Sequence, residues 1–142
     1  MDFNLSENTT IIADTARRYL KDQYSFDTYR NVLVQSNHLN PSRWQTMQEL
    51  GWFGLPFCEA VGGYGGDLID VAMIVSEMGA ALCLDPYVDM VVAPGKLLEL
   101  ADADKARQLL AGIIEGKAEV ACALYDIHAG YDALSPSLVI NS

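Results

Sequence analysis

ELGWFGLPFCEAVGGYGGD, residues 49–67, decides how the chain is read. The stretch sets Gly51, Gly54, Gly62, Gly63, Gly65 and Gly66 between two segments that both carry helical patterning. Glycine loses more backbone entropy on ordering than any other residue, so such a density survives only where a tight crossover or a ligand needs it. The GGYGG run lacks the Gly-Lys-Ser/Thr ending of a phosphate loop, follows no predicted strand and has Glu59 close by. A turn that fixes how two helices meet is the preferred reading.

Upstream of it, Ser6 is a good N-cap with Glu7 in the first turn, and Ile12, Ala16, Tyr19 and Leu20 recur at helical spacing, predicting a helix to about Tyr24. Phe26, Tyr29, Val32 and Leu33 suggest a second, weaker helix. Asn40-Pro41 is a cap followed by proline at the first helical position, and Trp44, Met47 and Leu50 follow until Gly51 ends that helix. Downstream, Asp67 caps a long helix expected over about 68–84. Its apolar residues cover most of the circumference, which predicts a central position. Asp85-Pro86 repeats the cap-plus-proline device and opens a helix from Tyr87 to about Leu100, which Pro94-Gly95 must kink or split. Asp102 is placed to cap a further helix with Ala106, Leu109, Leu110, Ile113 and Ile114 on one face, stopped by Gly116. Val120, Cys122 and Leu124 then alternate with period two, which reads as a strand, and residues 137–141 read as a second. The expected organisation is therefore all-α over residues 1–117, a helical bundle, followed over 118–142 by the opening strands of a β domain.

Composition narrows the function. With 142 residues and 51% hydrophobic content the chain can bury a real core, and disorder is excluded. A net charge of −10, from 19 acids against 9 bases, argues against nucleic acid and anionic membranes as partners. No apolar run is long enough to span a bilayer, and MDFNLSENTT lacks the pattern of a signal peptide. Cys58, Cys83 and Cys122 are odd in number and widely spaced, which fits reduced thiols in a cytoplasmic protein and no metal site. Asp67/Asp70 and Asp85/Asp89 lie one helical turn apart, but both pairs open helices, where capping accounts for them. His38 and His128 have no partner at a fixed spacing. Spacing alone gives a helical domain and no reaction.

The order of segments says more. WQTMQELG, then WFGLPFCEAVGGYGGD, then a long helix with SEMGAAL and LDPY, then DKARQLLAGIIEGK and VACALYD resembles the N-terminal half of the acyl-CoA dehydrogenase family. That family reads W…LxELGWxGLxxPEExGGxGG, an EELG-type helix, QKxxxLPxLxxGE and the strand ALTEPxAGSD. MDFNLSEN, LDPY and the form of the tail look closest to the small-subunit branch, as in pimeloyl-CoA dehydrogenase, with related subunits in heteromeric steroid-side-chain dehydrogenases.

The resemblance implies an FAD-dependent oxidoreductase of fatty acid metabolism. A glutamate takes the α proton of an acyl-CoA thioester while the β hydrogen leaves as hydride to the flavin. That glutamate belongs to the family's C-terminal domain, so no catalytic residue is assigned here. Tyr87, Val88 and Val91 match acyl-lining positions, with core packing as the equal alternative. Cys122, Leu124 and Tyr125 match positions at the flavin ring, and Gly130 and Tyr131 match positions near the pyrophosphate and thioester. The chain departs from the family at Tyr125-Asp126-Ile127, where Thr-Glu-Pro is usual, and at Gly130-Tyr131-Asp132, where Gly-Ser-Asp is usual. Two functions follow: part of an active dehydrogenase, or a degenerate scaffolding subunit of a heteromeric one. In either case homo- or hetero-oligomers with acyl-CoA dehydrogenase subunits are expected, and the 142-residue chain alone is expected to bind no FAD and turn over no substrate.

Overall fold

The computed structural model describes residues 4–34, 39–101 and 103–123. Helix α1 (Glu7–Gln23) begins at Ser6, whose hydroxyl accepts the Thr9 N–H at 3.0 Å, and buries Thr9, Ala13, Ala16 and Leu20. Helix α2 (Phe26–Leu33) is capped by Ser25 and buries Val32. Helix α3 (Pro41–Glu49) starts with the Asn40 carbonyl of the side chain accepting the Arg43 N–H at 3.0 Å, and turns Trp44 and Met47 inward. Gly51 ends it with φ of 82°, the left-handed region that favours glycine.

Residues 49–67 then fold back on themselves. Trp52, Phe53 and Phe57 are each at most 3% exposed and lie at the centre of the core, among Leu20, Met47, Ile74, Val91 and Leu110. The first half of the crossover, residues 52–57, is therefore in the middle of the fold, while residues 58–67 run mostly along the surface. Gly63 is required at one point of it, because a Cβ there would run into the Phe57 backbone carbonyl.

Helix α4 (Leu68–Ala80) begins with a reciprocal capping box: Asp67 Oδ1 accepts the Asp70 N–H at 2.9 Å, and Asp70 Oδ2 accepts the Asp67 N–H at 3.1 Å. It runs parallel to α1. The Thr9 hydroxyl donates to Asp70 Oδ1 at 2.7 Å at the two N-termini, and Arg17 forks onto Glu77 (2.7 and 3.2 Å) further along. The all-round apolar pattern predicts a central helix, but α4 buries one stripe, Val71, Ile74 and Met78, while Leu68 is 81% and Ile69 54% exposed. The packing supplied by α1 and the crossover covers only that stripe.

The helix also ends before the predicted Leu84. Leu82 takes φ of 54°, and the Cys83 and Leu82 N–H groups return to the Met78 and Gly79 carbonyls at 2.9 and 3.1 Å. This is a Schellman-type end with leucine where glycine is usual. A left-handed non-glycine residue costs about 1–2 kcal/mol, so Leu82→Gly is expected to raise stability by about 1 kcal/mol, read as a shifted urea midpoint with unchanged slope.

After Asp85 and Pro86, residues Val88–Val92 form a π-turn that runs into α5 (Ala93–Leu100). Pro94 has no N–H and its ring crowds the carbonyl one turn back, and widening the helix by one residue relieves both. The kink expected at Pro94-Gly95 thus lies just before them. Helix α6 (Asp104–Ile114) buries Ala106, Leu110 and Ile113 and stops at Gly116, φ 69°. Ala103 occupies its N-cap position, and Asp102 lies outside the described residues. The strand expected at 119–124 does not form over 119–123: these residues have no ladder partner among the described residues, and a strand exists only when paired. The proposed second strand, 137–141, lies outside them.

Candidate functional site

The glycine loop holds its own amides. Within GGYGG the N–H groups of Gly62, Gly63, Tyr64, Gly65 and Gly66 donate to the carbonyls of Glu59, Cys58, Gly54, Phe57 and Leu55, at 2.8 to 3.0 Å. A phosphate cradle needs such groups free and convergent, so the loop is a crossover. Its far side is tied to α5, where Glu99 Oε1 accepts the Cys58 N–H at 2.9 Å.

One of several concave features among the described residues lies at the α4–α5 corner. A groove of about 370 Å³ runs between Val75, Met78 and Gly79 on one wall and Pro86, Tyr87 and Val88 on the other. Of the three positions expected to face an acyl chain, Val88 is 41% exposed and lines this groove. Tyr87 borders it but is fully buried, its hydroxyl donating to the Trp52 carbonyl at 2.9 Å and its ring edge-on to Trp52 at 6.2 Å. Burial pushes the Tyr87 phenol far above its ordinary value. Val91 is 1% exposed and packs into the core.

Asp85 behaves differently from the helix cap its position suggests. Its side chain is fully buried, and both carboxylate oxygens meet Arg43 of α3: Nε to Oδ2 at 3.1 Å and Nη2 to Oδ1 at 3.4 Å. The same Nε lies 3.0 Å from the Tyr24 hydroxyl, and the guanidinium sits over the Tyr24 ring, 4.9 Å from its centroid. Tyr19 donates to the Arg43 backbone carbonyl at 3.2 Å. Burial pushes the Asp85 carboxyl up to about 6, with the Asn40 backbone N–H pulling the other way. One buried ion pair thus joins the ends of α1 and α3 to the corner that precedes α5. The sequence signal was available: an acid and a base in apolar surroundings, 42 residues apart, but no spacing rule connects them.

Cys83 lies beside this pair, and burial pushes its thiol up to about 11. The thiolate is the reactive form, so iodoacetamide at pH 8 is expected to label exposed Cys58 well before Cys83. Peptide mapping of a time course checks the order. Equal rates would place Cys83 in a more open setting than the one described.

A sequence model of the family described as "Acyl-CoA dehydrogenase, N-terminal domain" matches residues 6–117. The chain belongs to the acyl-CoA dehydrogenase family. Acyl-CoA dehydrogenase IpdE2 of Mycolicibacterium smegmatis is 25% identical over 109 residues, 76% of this chain and 35% of that protein. Among solved structures, the Tcur3481-Tcur3483 steroid ACAD superposes with a TM-score of 0.82 at 24% identity, covering 92% of this chain and 36% of that one. The ChsE4-ChsE5 complex from Mycobacterium tuberculosis gives 0.79 at 18% identity, covering 87% and 34%. These likenesses show the fold. The chain spans about a third of the length of the relatives it matches.

Within an acyl-CoA dehydrogenase N-terminal domain, the remaining expected positions divide as follows. Cys122 is half-buried on the non-helical segment after Gly116. Leu124, Tyr125, Gly130 and Tyr131, together with His38 and His128, lie outside the described residues. Among the described residues no His, Cys, Asp and Glu cluster could hold a metal ion, and no helix is long and apolar enough to cross a membrane.

Proposed function

We propose that the chain is the N-terminal helical domain, residues 1–117, and the start of the middle β domain, 118–142, of a cytoplasmic acyl-CoA dehydrogenase subunit. The reaction is oxidation of the α,β carbon–carbon bond of an acyl-CoA thioester. The observation that carries this reading is the family match across residues 6–117, on a chain whose helices superpose on acyl-CoA dehydrogenases over nearly its whole length. FAD, when bound, accepts the hydride. This chain's share is to supply a wall for the acyl group through Val88 and the groove at the α4–α5 corner, with Tyr87 and Val91 anchoring that wall from behind. Of the flavin-facing set, Cys122 is the one position among the described residues, and its half-buried place on non-helical backbone is compatible with meeting a ring through backbone groups. Leu124, Tyr125, Gly130 and Tyr131 complete the set we assign to flavin and thioester.

A second reading has its own support. Tyr125 and Tyr131 put bulky phenols where the family has small hydroxyls, and the two superposed structures are named for paired components. In that reading the subunit supports a catalytic partner and does not turn over substrate itself. The intact protein, purified alone and then with a candidate partner subunit, separates the two by its visible spectrum. Flavin absorbance that bleaches with an acyl-CoA, in the protein alone, supports the first. A colourless protein that restores activity only to a partner supports the second. A panel of pimeloyl, straight-chain and steroid side-chain thioesters then assigns the substrate class. The 142-residue chain by itself is expected to be colourless and inactive, and saturable FAD binding by it would overturn that expectation.

A further inference from the structure

We propose that Asp85 and Arg43 are positioning residues for the groove: their buried ion pair fixes the Pro86–Val88 wall against α4 and so sets what bulk the groove accepts. The inference rests on the reading that this groove receives part of an acyl-CoA.

The geometry of the corner leads to it. Residues 82–87 carry the chain from the end of α4 to the π-turn, and they begin with Leu82 in the left-handed conformation. Such strain persists only where surrounding structure over-determines it, and it gathers at sites that must be held in one shape. Two anchors hold this one. Asp85 is gripped through both carboxylate oxygens by Arg43, and two residues on the Tyr87 hydroxyl is fixed to the Trp52 carbonyl. Pro86, which lines the groove, lies between them, and Val88 follows directly.

A fork-shaped pair is directional in a way that apolar packing is not. Arg43 is itself oriented before it meets Asp85, by the Tyr24 hydroxyl and ring and by its place in the capped first turn of α3. Among the described residues the other polar groups near the pair include the Cys83 thiol, 4.0 Å from Asp85 Oδ2, the Asn40 N–H and the Tyr19 phenol, and none carries the positive charge of the guanidinium. Replacing a buried pair of this kind with apolar residues is often neutral for stability, so what the pair supplies beyond apolar packing is its direction. With the pair released, the corner pivots on Tyr87, and the wall formed by Pro86 and Val88 moves relative to Met78 and Val75.

The test uses the intact protein and two unreactive thioether analogues, of butyryl-CoA and dodecanoyl-CoA, with affinities from titration calorimetry. Loss of folded protein lowers both affinities equally, whereas a displaced wall changes their ratio. Asp85→Asn is expected to weaken the dodecyl ligand about tenfold and the butyl ligand less than about twofold, a selective loss of roughly one decade in Kd. Tyr24→Phe, a milder change that removes only the hydroxyl steadying Arg43, is expected to shift the ratio the same way by about threefold. An unchanged ratio in Tyr24→Phe together with an unchanged ratio, or failure to fold, in Asp85→Asn overturns the proposal. Wild-type protein binding neither ligand overturns the functional reading itself, and this shows before any substitution is made.

Discussion

Asp85→Ala is expected to lower the unfolding free energy by about 3–5 kcal/mol, the range for removing one partner of a buried ion pair. The loss arises because Arg43, 11% exposed at its side chain, keeps its charge and loses a fully buried carboxylate partner. The double variant Arg43→Met/Asp85→Leu is expected to recover most of that stability, since the pair's attraction only partly offsets its desolvation. Urea unfolding of the three proteins measures both statements, and an additive double variant would refute the coupling. The pH dependence has a defined sign. The folded Asp85 carboxyl, at about 6, lies above its ordinary value near 3.8. Its contribution is therefore fully present below about pH 4 and is lost as pH rises through 6. Asp85→Asn is expected to remove this part of the pH dependence, so the wild-type stability minus that of the variant falls as pH rises from about 4 through 6.

Gly95→Ala is the second large effect, expected to cost about 3 kcal/mol, at the upper end for overpacking a core. A Cβ at Gly95 would run into the Cζ and Cε1 atoms of Phe57, whose side chain is fully buried. The ring cannot swing away, because it is enclosed by the core it helps to build, with Lys96 Nζ 5.6 Å from its centroid. Phe57→Leu in the Gly95→Ala background is expected to return part of the loss, a non-additivity that marks direct contact. Gly79→Ala serves as the contrast: nothing lies within 4 Å of a Cβ there, in an exposed helical position. It is expected to gain up to about 1 kcal/mol from helix propensity.

Most of the helical frame was legible in the sequence because it rests on local chemistry. Ser6, Asn40 and Asp67 cap the helices that their side chains announce, and Gly51 and Gly116 end helices with left-handed φ. The misreadings occur where distant residues decide. Asp85 has the sequence context of a cap, yet its carboxylate turns to an arginine two helices away, since a charge buried there must be paired. Leu82 gave no sign of a helix end, because leucine is an ordinary helix former that the tertiary turn forces left-handed. The all-round apolar face of α4 read as centrality, while Leu68 and Ile69 remain exposed. The family resemblance matched Tyr87, Val88 and Val91 alike to acyl-lining positions, and their shared spacing could not tell Val88, which borders the groove at the α4–α5 corner, from Tyr87 and Val91, which are buried in the core. The family order of segments was legible throughout, since it depends on residues such as Trp52 and the GGYGG turn that carry the core and the crossover.

The pairing of α1 with α4 also sets an order of events during synthesis. Thr9 meets Asp70 across 61 positions and Arg17 meets Glu77 across 60. Helix α1 therefore gains its polar contacts with α4 only after some sixty further residues have been made, whereas Tyr19 and Tyr24 at its end can meet Arg43 earlier. At roughly 5–20 residues per second that interval is about 3–12 s, during which the Thr9 and Arg17 side chains lack their α4 partners. The glycine crossover lies between the two helices in the chain, inside the loop that this docking step closes.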